Sequence, residues 1–357
     1  MSFDITEIDK AFKLETSINR TDVEFYRVTS RPFKLHGVYH DGTQFRRMPK
    51  EIAEATNPGV ARLATNTSGG RVRFVTNSPY VAIRVEIPHN VHFEHMPLAG
   101  VAGFDMYVLD DGAYKYAAPF IPKNNFEDLY ERIEWFDGEK KFRTVTLNFP
   151  LYNDVYNLYI GLKEGSEVRE APEYTVSDPI VFYGSSITQG GCASRPGNCY
   201  AALLSRRYDA DYINLGFSGS GKGEDIMAEY IAGLKMSAFV MDYDHNAPTP
   251  EHYESTHERF FKIVREKNPD LPIILATRPK VLEFMNEQER ARIPIAERTY
   301  KNAIARGDKN VYFIPGPELM ELCGDSGLVD YHHPTDLGFF SMAKRFSVEL
   351  DKIFKPI

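Results

Sequence analysis

The sequence predicts an α/β protein of two domains: a β-sandwich of the jelly-roll type over residues 1–175, then a three-layer α/β/α domain with a parallel sheet over residues 176–357. Three observations predict it. At 357 residues the chain exceeds what one core usually organises. Residues 20 to 170 favour short alternating segments separated by Gly, Pro and polar turns. Past EVREAPEYTVSDP (167–179), apolar runs alternate with amphipathic helical ones.

In the first half, RVRFVTNSPYVAIRVEI (71–87) gives two runs of period two around Asn77, Ser78 and Pro79, which predicts a hairpin. GFDMYVLDDG (103–112), FRTVTLNFP (142–150) and VYNLYIGLKEG (155–165) predict further strands. In the second half PIVFYG, YINLGF, SAFVMDY, PIILAT and VYFIP predict buried strands. Helices are expected around CYAALLSRRYD, GEDIMAEYIAGL and HYESTHERFFKIVREKN, near 282–306, and from about 335 to 354. Such a succession implies a parallel sheet covered on both faces, whose ligands sit at the carboxyl ends of the strands.

Composition narrows the function classes. With 43% hydrophobic and 26% charged residues the chain reads as an ordinary soluble globular protein, and 13% aromatic suits β-rich folds and carbohydrate-facing clefts. A formal net charge of −8 without a long basic run argues against nucleic acid as a partner. The opening MSFDITEIDKAFKLE has no apolar leader core, and no stretch reaches the length of a membrane span, so a cytoplasmic location is expected. Cys192, Cys199 and Cys323 have neither C-x-x-C spacing nor an even count, which reads as reduced thiols.

The Gly-rich stretch NLGFSGSGKGED (214–225) matches a phosphate loop, G-x-x-x-x-G-K-[ST], from Gly216 at every fixed position but the last. Gly223 stands there and has no oxygen for a metal ion, so nucleotide binding is rejected. Two readings remain: a strand-to-helix turn without a role, or a backbone donor to an oxyanion.

The first strand of the second half breaks into GSSITQGG, which leaves Ser186 at its carboxyl end with an exposed hydroxyl and an N–H in reach of a developing oxyanion. A serine needs a base that a third group orients. DYHHPT (330–335) supplies both, because a spacing of three lets Asp330 and His333 converge on one side of a turn. His332 is the rival base, and Asp330 has an alternative role as a helix cap, which Thr335 can fill instead. For the oxyanion, the Ser186 N–H, the Gly219 N–H and the Asn246 amide come from three successive strand ends. Asp242, Asp244 and His245 admit a metal cluster, but ion pairing with Lys or Arg is the simpler role, and no metal or cofactor is called for.

GSSITQG, NLGFSGSG, DYDHNA and DYHHPTDLG, in this order, resemble the SGNH hydrolases, the GDSL esterases and lipases. The resemblance covers about the last half of the chain. It implies Ser186 as nucleophile, Gly219 and Asn246 as oxyanion donors, and Asp330 with His333 as the other triad members. Ser185 departs from the family, which usually has Asp there. GFDMY (103–107) looks like the G-x-D-L-Y signature of the β-rich domain that precedes some SGNH domains, and Asp105 is expected to tie a turn. The combination is similar to two-domain carbohydrate esterases. It implies hydrolysis of an acyl ester, most naturally acetyl on a small carbohydrate or oligosaccharide, through an acyl-enzyme and without a cofactor. A thioesterase, a lipid acylhydrolase and a catalytically silent carbohydrate-binding protein are the alternatives. No long apolar lid speaks for a lipase.

Overall fold

The computed structural model describes residues 16–136 and 141–357. The opening segment discussed above, residues 1–15, lies outside them.

In the first half, antiparallel strands form two facing sheets. One runs Val23–Arg27, Asn157–Lys163, Tyr80–Glu86, Leu129–Trp135 in spatial order. The other runs Val168–Arg169, Arg71–Thr76, Arg143–Asn148, Phe104–Asp110, Ala113–Phe120. Phe74, Ile83, Phe104, Leu147 and Ile160 fill the space between them. The expected hairpin at 71–87 is corrected here: Arg71–Thr76 and Tyr80–Glu86 are both strands, but they stand in different sheets. The cause is burial. Nearly every residue of both strands is covered on both faces, whereas hairpin partners on one exposed sheet would bury alternate residues only. The Ser78 hydroxyl bridges the corner, donating to Tyr80 O at 2.6 Å and accepting the Lys163 N–H at 3.1 Å.

The second half holds five parallel strands, β1 (Val176–Gly184), β2 (Ala210–Gly216), β3 (Ala238–Asp242), β4 (Ile273–Ala276) and β5 (Val311–Ile314), in the order β2-β1-β3-β4-β5. Its helices include α1 (Ser186–Gln189), α2 (Tyr200–Tyr208), α3 (Asp225–Ala232), α4 (Pro250–Lys267), α5 (Glu287–Ala305) and α6 (Asp336–Leu350). Strand side chains alternate between two cores. Phe182, Val240 and Ile274 meet Tyr200, Met342 and Phe346 of α2 and α6. Val181, Phe239 and Ile273 meet Met227, Phe260 and Ile295 of α3, α4 and α5. The result is the three-layer arrangement that the alternating apolar runs predict.

Strand β2 lies at the edge of this sheet, and arginines from the first half cover its unpaired carbonyls. Arg47 donates to Asn214 O at 3.0 Å and to Gly216 O at 2.7 Å, and Arg71 donates to Tyr212 O at 3.0 Å while pairing with Asp211. Both guanidinium groups are buried. An open β edge would otherwise leave these groups without donors.

Candidate active site

The site lies at the carboxyl end of the sheet, where the strand order reverses between β1 and β3. Register sets Gly184 level with Gly216 of β2 and Asp242 of β3. Both glycines are required by contact: a Cβ at 184 would stand 2.1 Å from Thr188 Oγ1, and one at 216 would stand 2.2 Å from Gln189 N. Helix α1 can therefore rest directly on the strand ends. Ser185 caps it from extended backbone, its Oγ accepting the Ile187 N–H at 3.2 Å. Serine and aspartate are both good N-caps, so the departure from the family at 185 leaves the turn intact.

Ser186 opens the helix, and its N–H has no intrahelical acceptor. Its Oγ is 2.9 Å from His333 Nε2. His333 Nδ1 is 2.8 Å from Asp330 Oδ2, while Asp330 Oδ1 accepts the N–H groups of His332 at 2.7 Å and His333 at 2.6 Å. Partial burial pulls the Asp330 carboxyl upward, but the bond to His333 and the two backbone donors overcome it and hold the group at about 2. His332 turns away to the ring of His245, 5.2 Å between centroids. Thr335 caps α6, as the sequence allows, through the Gly338 N–H.

The Gly-rich turn settles the phosphate-loop question. Ser218 N donates to Gln189 Oε1, Ser220 N and Gly221 N to Phe217 O, Lys222 N to the Glu224 carboxylate, and Gly223 N to Tyr183 OH. From 218 to 223, the N–H of Gly219 is the one without an acceptor among the described residues. Its φ of +64° suits glycine. Asn246 is engaged otherwise than the sequence suggests. Its Nδ2 donates to Phe217 O at 2.8 Å and to Gly221 O at 3.1 Å, so both amide hydrogens are spent on the turn that carries Gly219.

Asp242, Asp244 and His245 do not converge. Asp242 is buried with Thr188 Oγ1 at 3.5 Å, and burial followed by the charge of Asp244 pushes its carboxyl well above the usual carboxylate range. Asp244 pairs with Arg278 at 3.2 Å, and His245 faces His332, its imidazole pushed down to about 3 by burial and then by Arg278. Cys192 lies close to His333; burial, then the charge of Asp330, pushes its thiol up to about 12, which leaves it neutral.

Several positioning residues escape a reading of the sequence. Gln189 donates to Asn66 Oδ1 at 3.1 Å and to Leu151 O at 3.2 Å, tying α1 to the first half. Asp105 accepts from Arg195 at 2.6 Å, Gly197 N at 2.9 Å and Asn148 at 2.7 Å, so it holds the segment after α1 rather than a turn of its own hairpin. That segment in turn grips the base of the His333 loop: Ser194 N and Asn198 Nδ2 donate to Asp336 at 2.8 and 2.7 Å, and Cys192 N to Pro334 O at 3.3 Å. The signal for these residues was present as polar side chains in apolar surroundings, but their partners are distant in sequence.

A family description for GDSL-like lipases and acylhydrolases matches residues 177–351, and one for the N-terminus of SGNH-hydrolase-type esterases, GxDLY, matches residues 23–168. A solved structure from Bacteroides ovatus ATCC 8483, provisionally assigned as a GDSL-like lipase, is 30% identical with a TM-score of 0.84, covering 94% of this chain and 99% of its own. The chain belongs to the GDSL family of SGNH hydrolases. Two more distant structures share the fold of this GDSL protein. The salicylyl-acyltransferase SsfX3 from a tetracycline biosynthetic pathway is 20% identical, with a TM-score of 0.75 over 93% of this chain and 98% of its own. The acetyl xylan esterase Est2A from the rumen bacterium Butyrivibrio proteoclasticus is 15% identical, with a TM-score of 0.58 over 93% and 98%. A sequence search of curated proteins returns no match.

Two outcomes are expected from this geometry. Asn246→Ala removes two buried hydrogen bonds and should lower stability to urea by about 2 kcal/mol as well as slow turnover; unchanged stability would contradict its role as a staple. Asp330 has a folded value of about 2 against an ordinary 3.8, so its contribution to stability is full above the higher value and lost as pH falls through the lower. Melting temperatures of the wild type should therefore decline relative to Asp330→Asn between pH 3.8 and about 2, and parallel curves would contradict the assignment.

Proposed function

We propose that this GDSL hydrolase is a serine esterase that removes a short acyl group, most naturally acetyl, from a small carbohydrate or oligosaccharide. The observation that carries the proposal is the unbroken relay from Ser186 Oγ through His333 to Asp330, at 2.9 and 2.8 Å. Ser186 attacks the ester carbonyl while His333 Nε2 takes its proton. Asp330 fixes the tautomer of His333 and stabilises the imidazolium without accepting the proton. The Ser186 and Gly219 N–H groups receive the oxyanion, and Asn246 holds the turn that aims the second of them. Collapse expels the alcohol, which takes the proton back from His333. Water, deprotonated by the same imidazole, then attacks the acyl-enzyme and releases the acid.

The carbohydrate and the acetyl group are drawn from likeness to the acetyl xylan esterase, which shares the two-part architecture over 93% of this chain. The three unpaired cysteines agree with a cytoplasmic location. Among the described residues no helix is long and apolar enough to cross a membrane.

Hydrolysis of 4-nitrophenyl acetate and release of acetate from acetylated oligosaccharides test the proposal together. Ser186→Ala should reduce both by at least about 10⁴-fold. A variant that retains either rate would remove Ser186 as nucleophile. Binding of the acetylated sugar without acetate release would favour the silent binding protein instead.

A further inference from the structure

Two side chains that take no part in the chemistry above, His95 and Cys192, stand with the base His333 in a group whose atoms are of metal-ligating type. His95, Cys192 and His333 each present a ligand atom, and the three atoms lie within 4.8 Å of one another. They come from three loops: His95 from the loop after Tyr80–Glu86 in the first half, Cys192 from the segment after α1, and His333 from the loop before α6. The His95 ring is exposed and has no hydrogen-bonding partner among the described residues; its contacts are with the rings of Phe93 and, at 5.6 Å between centroids, His333. The Cys192 side chain is buried and unpaired, and makes no hydrogen bond among the described residues.

We propose that these three side chains form an inhibitory site for a borderline-soft divalent cation, Zn²⁺ by preference, which captures His333 and silences the esterase. Donor chemistry carries the choice of metal. Two imidazoles and a thiolate suit zinc and exclude the hard cations Mg²⁺ and Ca²⁺, and three protein ligands leave a fourth position for water. The Asp330 hydrogen bond leaves Nε2 as the basic nitrogen of His333, and it supplies the carboxylate partner that zinc-bound histidines commonly have. Tetrahedral zinc with ordinary bond lengths separates its ligand atoms by about 3.3 to 3.6 Å, so from separations within 4.8 Å the group need contract by no more than about 1.5 Å. Rotation of the exposed His95 side chain can provide this, since no hydrogen bond restrains it.

Binding is balanced simply. The Cys192 thiol gives its proton to solvent, the sulfur and two ring nitrogens each donate a pair to the cation, and the Ser186 hydroxyl loses its acceptor. The inhibition rests on the esterase reading above, whereas the binding does not. The sequence holds no zinc spacing at these positions because the three donors meet only in the folded chain.

Cobalt(II), as a coloured probe of the zinc site, tests binding without reference to activity. Titration of the full-length protein should give one equivalent of Co²⁺ with a thiolate-to-metal charge-transfer band, which Zn²⁺ abolishes by displacement. Zn²⁺ should inhibit hydrolysis of 4-nitrophenyl acetate over the same range, with recovery on adding EDTA. His95→Gln lies at an exposed position and should keep metal-free activity while weakening both binding and inhibition about 100-fold, and Cys192→Ser should lose the band. No band in the wild type, a band retained by Cys192→Ser, or His95→Gln affinity within about twofold of wild type would overturn the site. Binding without inhibition would overturn its regulatory role. A protein that binds Co²⁺ as expected but hydrolyses nothing would fail the esterase reading alone.

Discussion

The contact between the Ser186 hydroxyl and the His333 imidazole joins residues 147 positions apart, and the architecture of the second half serves to make it. Neither side chain can reach the other through local structure. Ser186 is fixed by glycines at the ends of β1 and β2, which let α1 sit on the sheet without a Cβ between them. His333 is fixed by a different set of forces: the carboxylate of Asp330, the Thr335 cap on α6, and the segment after α1 that clasps Asp336. A small error in either support would open a 2.9 Å hydrogen bond, and proton transfer depends steeply on that distance.

The β-rich half acts as part of this support. Its arginines saturate the outer edge of β2, and Asn66, Leu151 and Ser68 receive or donate hydrogen bonds at Gln189, the last residue of α1. Tyr152 OH reaches the carbonyl of Ser186 itself at 3.1 Å. Asp105, the acidic residue of GFDMY, extends the support to the far side through Arg195 and Gly197. The signature residue of the first half therefore acts on the loop that steadies the second, and the two halves constitute one mechanical unit around the serine.

Much of this was legible before any coordinates. Alternating apolar and amphipathic runs announce a parallel sheet covered by helices, and the residues that follow β1, β2 and β3 identify one functional edge. Ser186, His333 and Asp330 could be paired because the 330–335 segment, just ahead of the last helix, offers a histidine with a carboxylate three residues before it. Other features depend on contacts that no local pattern encodes. Arg71–Thr76 and Tyr80–Glu86 alternate as a hairpin would, yet burial on both faces sends them to opposite sheets. Asn246 follows β3 as its sequence position implies, but the carbonyls that engage its amide belong to a turn 25 to 29 residues away. The approach of His95 to His333 follows from how the halves meet, which periodicity does not express.

The meeting of Ser186 and His333 is tested most directly by labelling with a serine-directed fluorophosphonate followed by peptide mass mapping. The account predicts one adduct, on Ser186, formed rapidly in the wild type and slowed by orders of magnitude in His333→Ala with the fold retained. An adduct on a different residue such as Ser185, or Ser186 labelling at an unchanged rate without the imidazole, would contradict it.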